Sequence, residues 1–321
     1  MSIRTAPPVG PPATRVRVST VSHRRSRYRL TRWDVKYSPY LYVAPFFVVF
    51  GVFGAYPLLY NAWVSLHDWN LIGDHTFVGL RNYGDLIVDD DFWNSVVNTI
   101  GIFVVATVPQ MVLALLLANI LNRNLRGRTV FRMGVLVPNI TSVAAVAIVF
   151  GQMFARDFGM VNYVLHFFGV GRTDWQADKW SSWIAISTMV DWRWTGYNAL
   201  IFLAAMQAIP RDLYEAAAID GASRMRQFWS ITVPMLRPTI IFAVIISTIG
   251  GLQLFTEPLL FGYGRMQGGS QRQFQTVTMY MYENAFQRFH YGYGAAIAWL
   301  LFLLIAVVCV VNYLIVRRTA R

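Results

Sequence analysis

Six long apolar stretches limit what this chain can fold into. They run roughly over residues 41–62, 95–120, 131–155, 181–208, 237–260 and 293–316. Each is long enough to cross a bilayer as a helix, which takes about 20 predominantly apolar residues. A backbone in lipid must satisfy its own N–H and C=O groups, so helices are expected rather than loops. The balance of residues agrees: 14% of the 321 are charged and 55% are hydrophobic. Soluble domains carry about a quarter charged residues. The expected fold class is an all-α polytopic membrane protein with six transmembrane helices. The sequence MVDWRWTGYN interrupts the fourth stretch, and Pro109 and Pro138 are expected to kink the second and third.

Lys and Arg set the orientation. With the N-terminus inside, the inner segments hold 20 of the 28 basic residues, the outer loops hold 7, and Arg193 lies in a span. Basic residues favour the cytoplasmic side, so both termini are expected there. The first 36 residues carry four prolines by position 12, then the run RVRVSTVSHRRSRYRLTRW. Residues 1–36 are expected to be a disordered basic arm resting on anionic lipid, ahead of a membrane domain over 37–321. The basic part is too long for a secretory signal.

Several chemistries are not expected of the chain. Cys309 is the only cysteine, so there is no intrachain disulfide and no cysteine-rich metal site. The only lysines, Lys36 and Lys179, do not follow a glycine, so no P-loop is present. The five histidines form no H-E-x-x-H, and no Ser/His/Asp set announces itself. No catalytic residue, metal site or nucleic-acid partner is expected.

One polar stretch falls between the fourth and fifth spans, on the inner side: YEAAAIDGASRMRQFWSITVPMLRP, residues 214–238. Glu and Ala favour a short helix, Gly221 suits a left-handed turn, and Ser223 can cap a second helix that Pro234 and Pro238 end. Phe228 and Trp229 are large candidate anchors for a partner. From the residues alone, the stretch is either a docking knob or an interfacial hairpin that only joins two spans.

The pattern E-A-A-x-x-D-G-A followed by F-x-x-I-x-x-P-x-x-x-P resembles the EAA loop of ABC-importer permeases. It is carried here by Glu215, Ala216, Ala217, Asp220, Gly221, Ala222, Phe228, Ile231, Pro234 and Pro238. The stretches PFFVVFGVFGAYPLLYNAWVSLHDW, FVGLRNY, FWNSVVNT, GGLQLFTEPLLF and TMYMYENAFQRFHYGYGAAIAWLLFLL resemble the carbohydrate-uptake branch of that family, the maltose, lactose and cellobiose type. Together they cover about residues 40–316. The chain departs from the family's Gly-Gly-Gly-Pro turn after the fifth span, reading GYGRMQGGSQ.

The resemblance implies a bacterial inner-membrane permease subunit of an ATP-driven disaccharide or oligosaccharide importer, not an enzyme by itself. Residues 211–238 would be its cytoplasmic coupling helix–turn–helix, with Arg224 among the docking residues. The implied partners are a second homologous permease, two copies of an ABC ATPase that bind ATP and Mg, an extracytoplasmic solute-binding protein, membrane lipid and the sugar.

A sugar needs hydrogen-bonding groups and aromatic faces along its path, and polar residues inside a membrane are candidates for it. Asp191, Trp194, Thr195 and Asn198 recur at i, i+3, i+4 and i+7, one helix face, with Gly196 as a small gap nearby. Gly250, Gln253 and Glu257 are expected to share a face of the fifth span. Asp191 and Arg193 are two apart and are not expected to pair. A headgroup position for both, near the outer end of an overlong helix, stays open. So do two other classes of function: a self-contained secondary transporter, and a membrane enzyme or scaffold that uses the knob to recruit a soluble partner.

Overall fold

The computed structural model describes residues 27–71, 75–123 and 126–318. The basic arm expected before residue 27 lies outside them. The chain divides into two units, 1–58 and 59–321. In the first, helix α1 (Arg27–Phe50) starts inside the segment expected to be an arm and runs into a π-helical turn, Gly51–Ala55. Phe46, Phe47 and Val48 of the helix and Phe53 of the turn are exposed.

Helix α2 (Tyr56–Ser65) leads into the second unit. There β1 (His67–Asp68) and β2 (Thr76–Phe77) pair antiparallel, His67 opposite Phe77. Helix α3 (Arg81–Ile87) precedes α4 (Asp90–Leu121), and α5 (Arg128–Ile140) precedes α6 (Val143–Met153). Then follow α7 (Met160–His166), α8 (Lys179–Gln207), α9 (Arg211–Ile219), α10 (Arg224–Gln227) and α11 (Val233–Met235). The last four helices are α12 (Arg237–Leu252), α13 (Thr256–Phe261), α14 (Val277–Tyr282) and α15 (Tyr291–Arg318).

Local chemistry sets several helix starts. Asp89 caps α4 by accepting from the N–H groups of Asp91 and Phe92. Asp178 caps α8 at Ser181, and Thr276 caps α14 at Met279. Each cap satisfies N–H groups that the first helical turn leaves without a partner.

Three described segments are long and apolar enough to cross a membrane: Val35–Ser65, Asp90–Leu121 and Tyr291–Ile315. Two bent pairs, 128–140 with 143–153 at 88° and 224–235 with 237–252 at 69°, raise the number to five if each is one span. The third apolar stretch is thus not a single kinked helix. It breaks at Thr141 and Ser142, three residues past Pro138, which itself lies inside α5. Pro109, by contrast, sits inside an uninterrupted α4. Helix α8 has the length of a span but carries Asp191, Arg193 and Asn198 along it.

The second unit is built around α4 and α8, its most extensive helix pair. Lipid is as apolar as leucine, so helices in it associate through close packing and hydrogen bonds rather than through loss of water. The pair shows both. A Cβ on Gly101 would sit 2.3 Å from the Trp183 ring, and the Ser187 hydroxyl donates to the Ile102 carbonyl at 3.2 Å. Three apolar clusters complete the core. One gathers Ile102, Ala147, Ile186, Met189, Phe261 and Phe274. A second joins Ala118, Phe202 and Met206 to Phe228 and Leu236. A third links Phe92 and Val96 of α4 to Ala296 and Ile297 of α15. Val104, Val108, Val112, Phe302, Val307 and Val310 stay exposed on the outer faces of α4 and α15.

Candidate functional site

The polar groups of the second unit concentrate in three places. The first is the middle of α8. Asp191, Trp194, Thr195 and Asn198 lie along one face of an unbroken helix, as their spacing predicts. Asn198 is buried and donates to the Ser247 hydroxyl of α12 at 3.3 Å. Arg193 is buried as well and pairs with Glu257 of α13, Nη1 to Oε1 at 2.7 Å. Its guanidinium also lies 5.9 Å from the centre of the Trp194 ring. Arg193 is therefore enclosed by protein and paired with Glu257 rather than left facing its surroundings. As expected, Arg193 does not pair with Asp191. Among the described residues, Asp191 Oδ1 and Arg193 Nε are buried without a hydrogen-bond partner.

Two sequence expectations need correcting here. Gly250, Gln253 and Glu257 do not share a helix face, because α12 ends at Leu252 and α13 begins at Thr256. Gly250 and Gln253 are exposed, whereas Glu257 turns inward to Arg193. Gly196 serves close helix packing: a Cβ there would sit 1.9 Å from the Val135 carbonyl of α5.

The second place is the loop from α9 to α11. Gly221 adopts φ 76°, the left-handed region. The Ala222 N–H donates to the Ala217 carbonyl and the Gly221 N–H to that of Ala218, at 2.9 and 3.0 Å. These two bonds form a Schellman motif, which satisfies carbonyls at the end of α9. Ser223 then caps α10 by accepting from the Arg226 N–H at 3.3 Å. The Tyr214 and Thr232 hydroxyls meet at 2.9 Å and tie α9 to the π-helical turn Phe228–Thr232. Glu215, Ala216, Asp220 and Arg224 are exposed, Ala217 and Ala222 are half-buried, and Pro234 sits at the start of α11. Glu215 forms no salt bridge among the described residues. Of the two expected anchors only Trp229 is presented. Phe228 is 3% exposed and packs with Met206 and Leu236 in the protein's own core.

The third place lies where the start of α4 meets residues 266–293, and sequence reasoning missed it. Asp89 accepts from the Tyr280 hydroxyl, from the Tyr293 hydroxyl at 2.5 Å, and from two N–H groups of α4. Burial pushes the Asp89 carboxyl up, but these hydrogen bonds outweigh it and hold the group below the usual carboxylate range. The Tyr280 hydroxyl is pushed up to about 12 by burial and by the Asp89 carboxylate.

Beside them, Glu283 accepts from Arg272 at 2.9 Å, Arg288 at 2.7 Å and Gln275 at 2.6 Å. Burial raises that carboxyl, and the two arginines and the glutamine bring it below its usual value. Asn94 and Asn98 fasten the Arg272 carbonyl to α4. A cavity of about 400 Å³ opens nearby, lined by Trp69, Asn82, Asp85, Asn284 and His290 among others. The one sequence signal was the acidic run Asp89–Asp91 ahead of an apolar stretch, a helix-start signature. Among the described residues, no three His, Cys, Asp or Glu side chains group to hold a metal ion.

Residues 102–321 match the family described as binding-protein-dependent transport system inner membrane component. The chain is 34% identical over 292 residues to the arabinooligosaccharides transport system permease protein AraP of Halalkalibacterium halodurans, covering 90% of this chain and 91% of the relative. It is 36% identical over 297 residues to the lactose transport system permease protein LacF of Rhizobium radiobacter, with 91% and 98% covered. Against the trehalose/maltose transport system permease protein MalF of Thermococcus litoralis it is 36% identical over 283 residues, with 88% and 94% covered. Among solved structures, a chain of a bacterial alginate ABC transporter, in complex with an alginate pentasaccharide-bound periplasmic protein, superposes with a TM-score of 0.75 at 19% identity. That match covers 91% of this chain and 98% of the other. The chain belongs to the inner membrane permease components of binding-protein-dependent ABC transport systems.

Proposed function

We propose that this permease carries a disaccharide or short oligosaccharide inward in an ATP-driven importer. The carrying observation is its likeness, over nearly its whole length, to permeases named for arabinooligosaccharides, lactose and trehalose/maltose. In this reading the chain spans the membrane six times. Helix α8 is the fourth span despite its polar face, and both termini are cytoplasmic. It works with a second homologous permease, two ABC ATPase copies that bind ATP and Mg, and an extracytoplasmic solute-binding protein. A structural neighbour solved with a periplasmic protein supports the last of these.

The polar face of α8 suits a hydroxyl-rich substrate. Asp191 and Thr195 offer donors and acceptors, Trp194 offers an aromatic face, and buried Asn198 ties this face to Ser247 of α12. The break between α12 and α13, with Gly250 and Gln253 exposed beside it, supports a path there, because transporters use discontinuous helices at substrate sites. At the α9–α10 end, Glu215, Ala216, Ala217, Asp220, Gly221, Ala222, Arg224 and Pro234 form the coupling surface, with Trp229 as its exposed aromatic. Phe228 holds that surface to the bundle from beneath. ATP closes the ATPase pair, the knob moves as a rigid body, and the cavity switches from facing inward to facing outward. Each site contributes through contacts that differ between the two states. Trp194→Ala and Thr195→Ala in the assembled importer test the path: a changed sugar preference or uptake rate is expected, and unchanged kinetics in both would remove α8 from it.

A further inference from the structure

A cavity of about 1200 Å³ lies between the end of α4, the start of α5, the end of α8 and the α9–α10 loop. Arg123, Arg128, Arg132, Arg211 and Arg224 line it, and no acid does. The acids of the neighbouring loop, Asp212, Glu215 and Asp220, are not among the lining residues. None of the five arginines forms a salt bridge among the described residues. Arg132 Nε is buried with no hydrogen-bond partner there. Five like charges around one hollow repel one another, and a buried guanidinium N–H without a partner is costly. Both costs are relieved by a polyanion with several oxygen acceptors.

The walls narrow the choice of anion. Buried Met206, Ile209 and Phe228 give an apolar floor beneath the arginines. The same ends of α4 and α5 carry exposed Ile120, Val130, Phe131 and Met133. Guanidinium groups bind phosphate oxygens in pairs, and basic pockets between membrane helices suit anionic headgroups. We propose that this cavity binds the phosphate headgroup of an anionic phospholipid, with cardiolipin and its two phosphates as the best fit. The cytoplasmic placement of the cavity rests on the orientation proposed above, but the binding does not, so either reading can fail alone.

The test is native mass spectrometry of the delipidated full chain, incubated with cardiolipin or with phosphatidylcholine. Cardiolipin alone is expected to be retained. Arg128→Ala/Arg132→Ala is expected to lower that retention by about tenfold, while Arg172→Ala/Arg265→Ala, far along the sequence from the cavity, leaves it unchanged. Melting without lipid checks that the first pair folds. If it does not, Arg123→Gln/Arg128→Gln on the exposed rim replaces it, with the same expected loss. Equal retention by variant and wild type overturns the proposal. So does displacement of the lipid by millimolar inorganic phosphate, which would assign the cavity to the free anion. Arg224 alone of the five also belongs to the proposed coupling surface, so retention with the ATPase added is expected through the other four; loss of the lipid then would give the cavity to the ATPase and overturn the proposal.

Discussion

Arg193 of α8 and Glu257 of α13 meet at 2.7 Å with side chains only 9% and 7% exposed. The contact joins two helices whose residues are 64 positions apart in the chain. Removing one partner from a buried pair leaves an uncompensated charge and costs about 3–5 kcal/mol. Replacing both by apolar residues of similar size is often neutral. Glu257→Gln is therefore expected to lower the melting temperature of the purified permease, and Arg193→Met/Glu257→Leu to restore much of it. Wild-type melting for Glu257→Gln would mean the charge is not buried in the folded protein.

Gly196 allows α8 to approach α5 closely enough that a Cβ would overlap the Val135 carbonyl. Gly196→Val is expected to cost about 1–3 kcal/mol through overpacking, read as a lower melting temperature. Gly134, where a Cβ meets nothing within 4 Å, serves as the control on α5. Gly134→Ala is expected to melt at or slightly above wild type, since alanine is the better helix former.

The left-handed turn at Gly221 gives a graded prediction. A residue with a Cβ pays about 1–2 kcal/mol there, and asparagine pays less than leucine. Gly221→Leu is expected to unseat α10 from α9 and to lower ATP-driven transport several-fold, while Gly221→Asn keeps most of it. Membrane insertion of both should be normal. Equal transport by Gly221→Leu and wild type would detach this turn from coupling.

Much of that loop was legible in the sequence because its signals are local. Glu215 to Ser223 hold the alanine helix, the glycine turn and the cap within a few residues. The long apolar helices were legible for the same reason. The break at Thr141–Ser142 and the restart at Thr256 were not, because a window long enough to find a span averages over the few polar residues at each point. Arg193–Glu257 and Asp89–Tyr280–Tyr293 were hidden because each joins distant segments. No spacing rule reports a partner 64 or about 200 positions away. Phe228 was misread because an aromatic in a polar loop looks the same whether it faces a partner or its own core.

Asp89 gives the pH dependence. Its folded-state value lies below the ordinary one, so its contribution to stability is complete above the unfolded value of about 3.9. That contribution is lost as pH falls through the folded value. Asp89→Asn is expected to melt lower than wild type at pH 6, with the gap closing as pH drops below about 4. A gap that stays constant across the acid range would show that the carboxylate's charge plays no part.

This permease is expected to move sugar only when a separate ATPase drives it. The direct measurement is uptake of labelled disaccharide into vesicles that hold the permease pair, the ATPase and the solute-binding protein, with and without ATP. Accumulation is expected to require both the ATPase and ATP and to fall sharply in Gly221→Leu. Uptake at the same rate with the ATPase left out, or with ATP withheld, would contradict it.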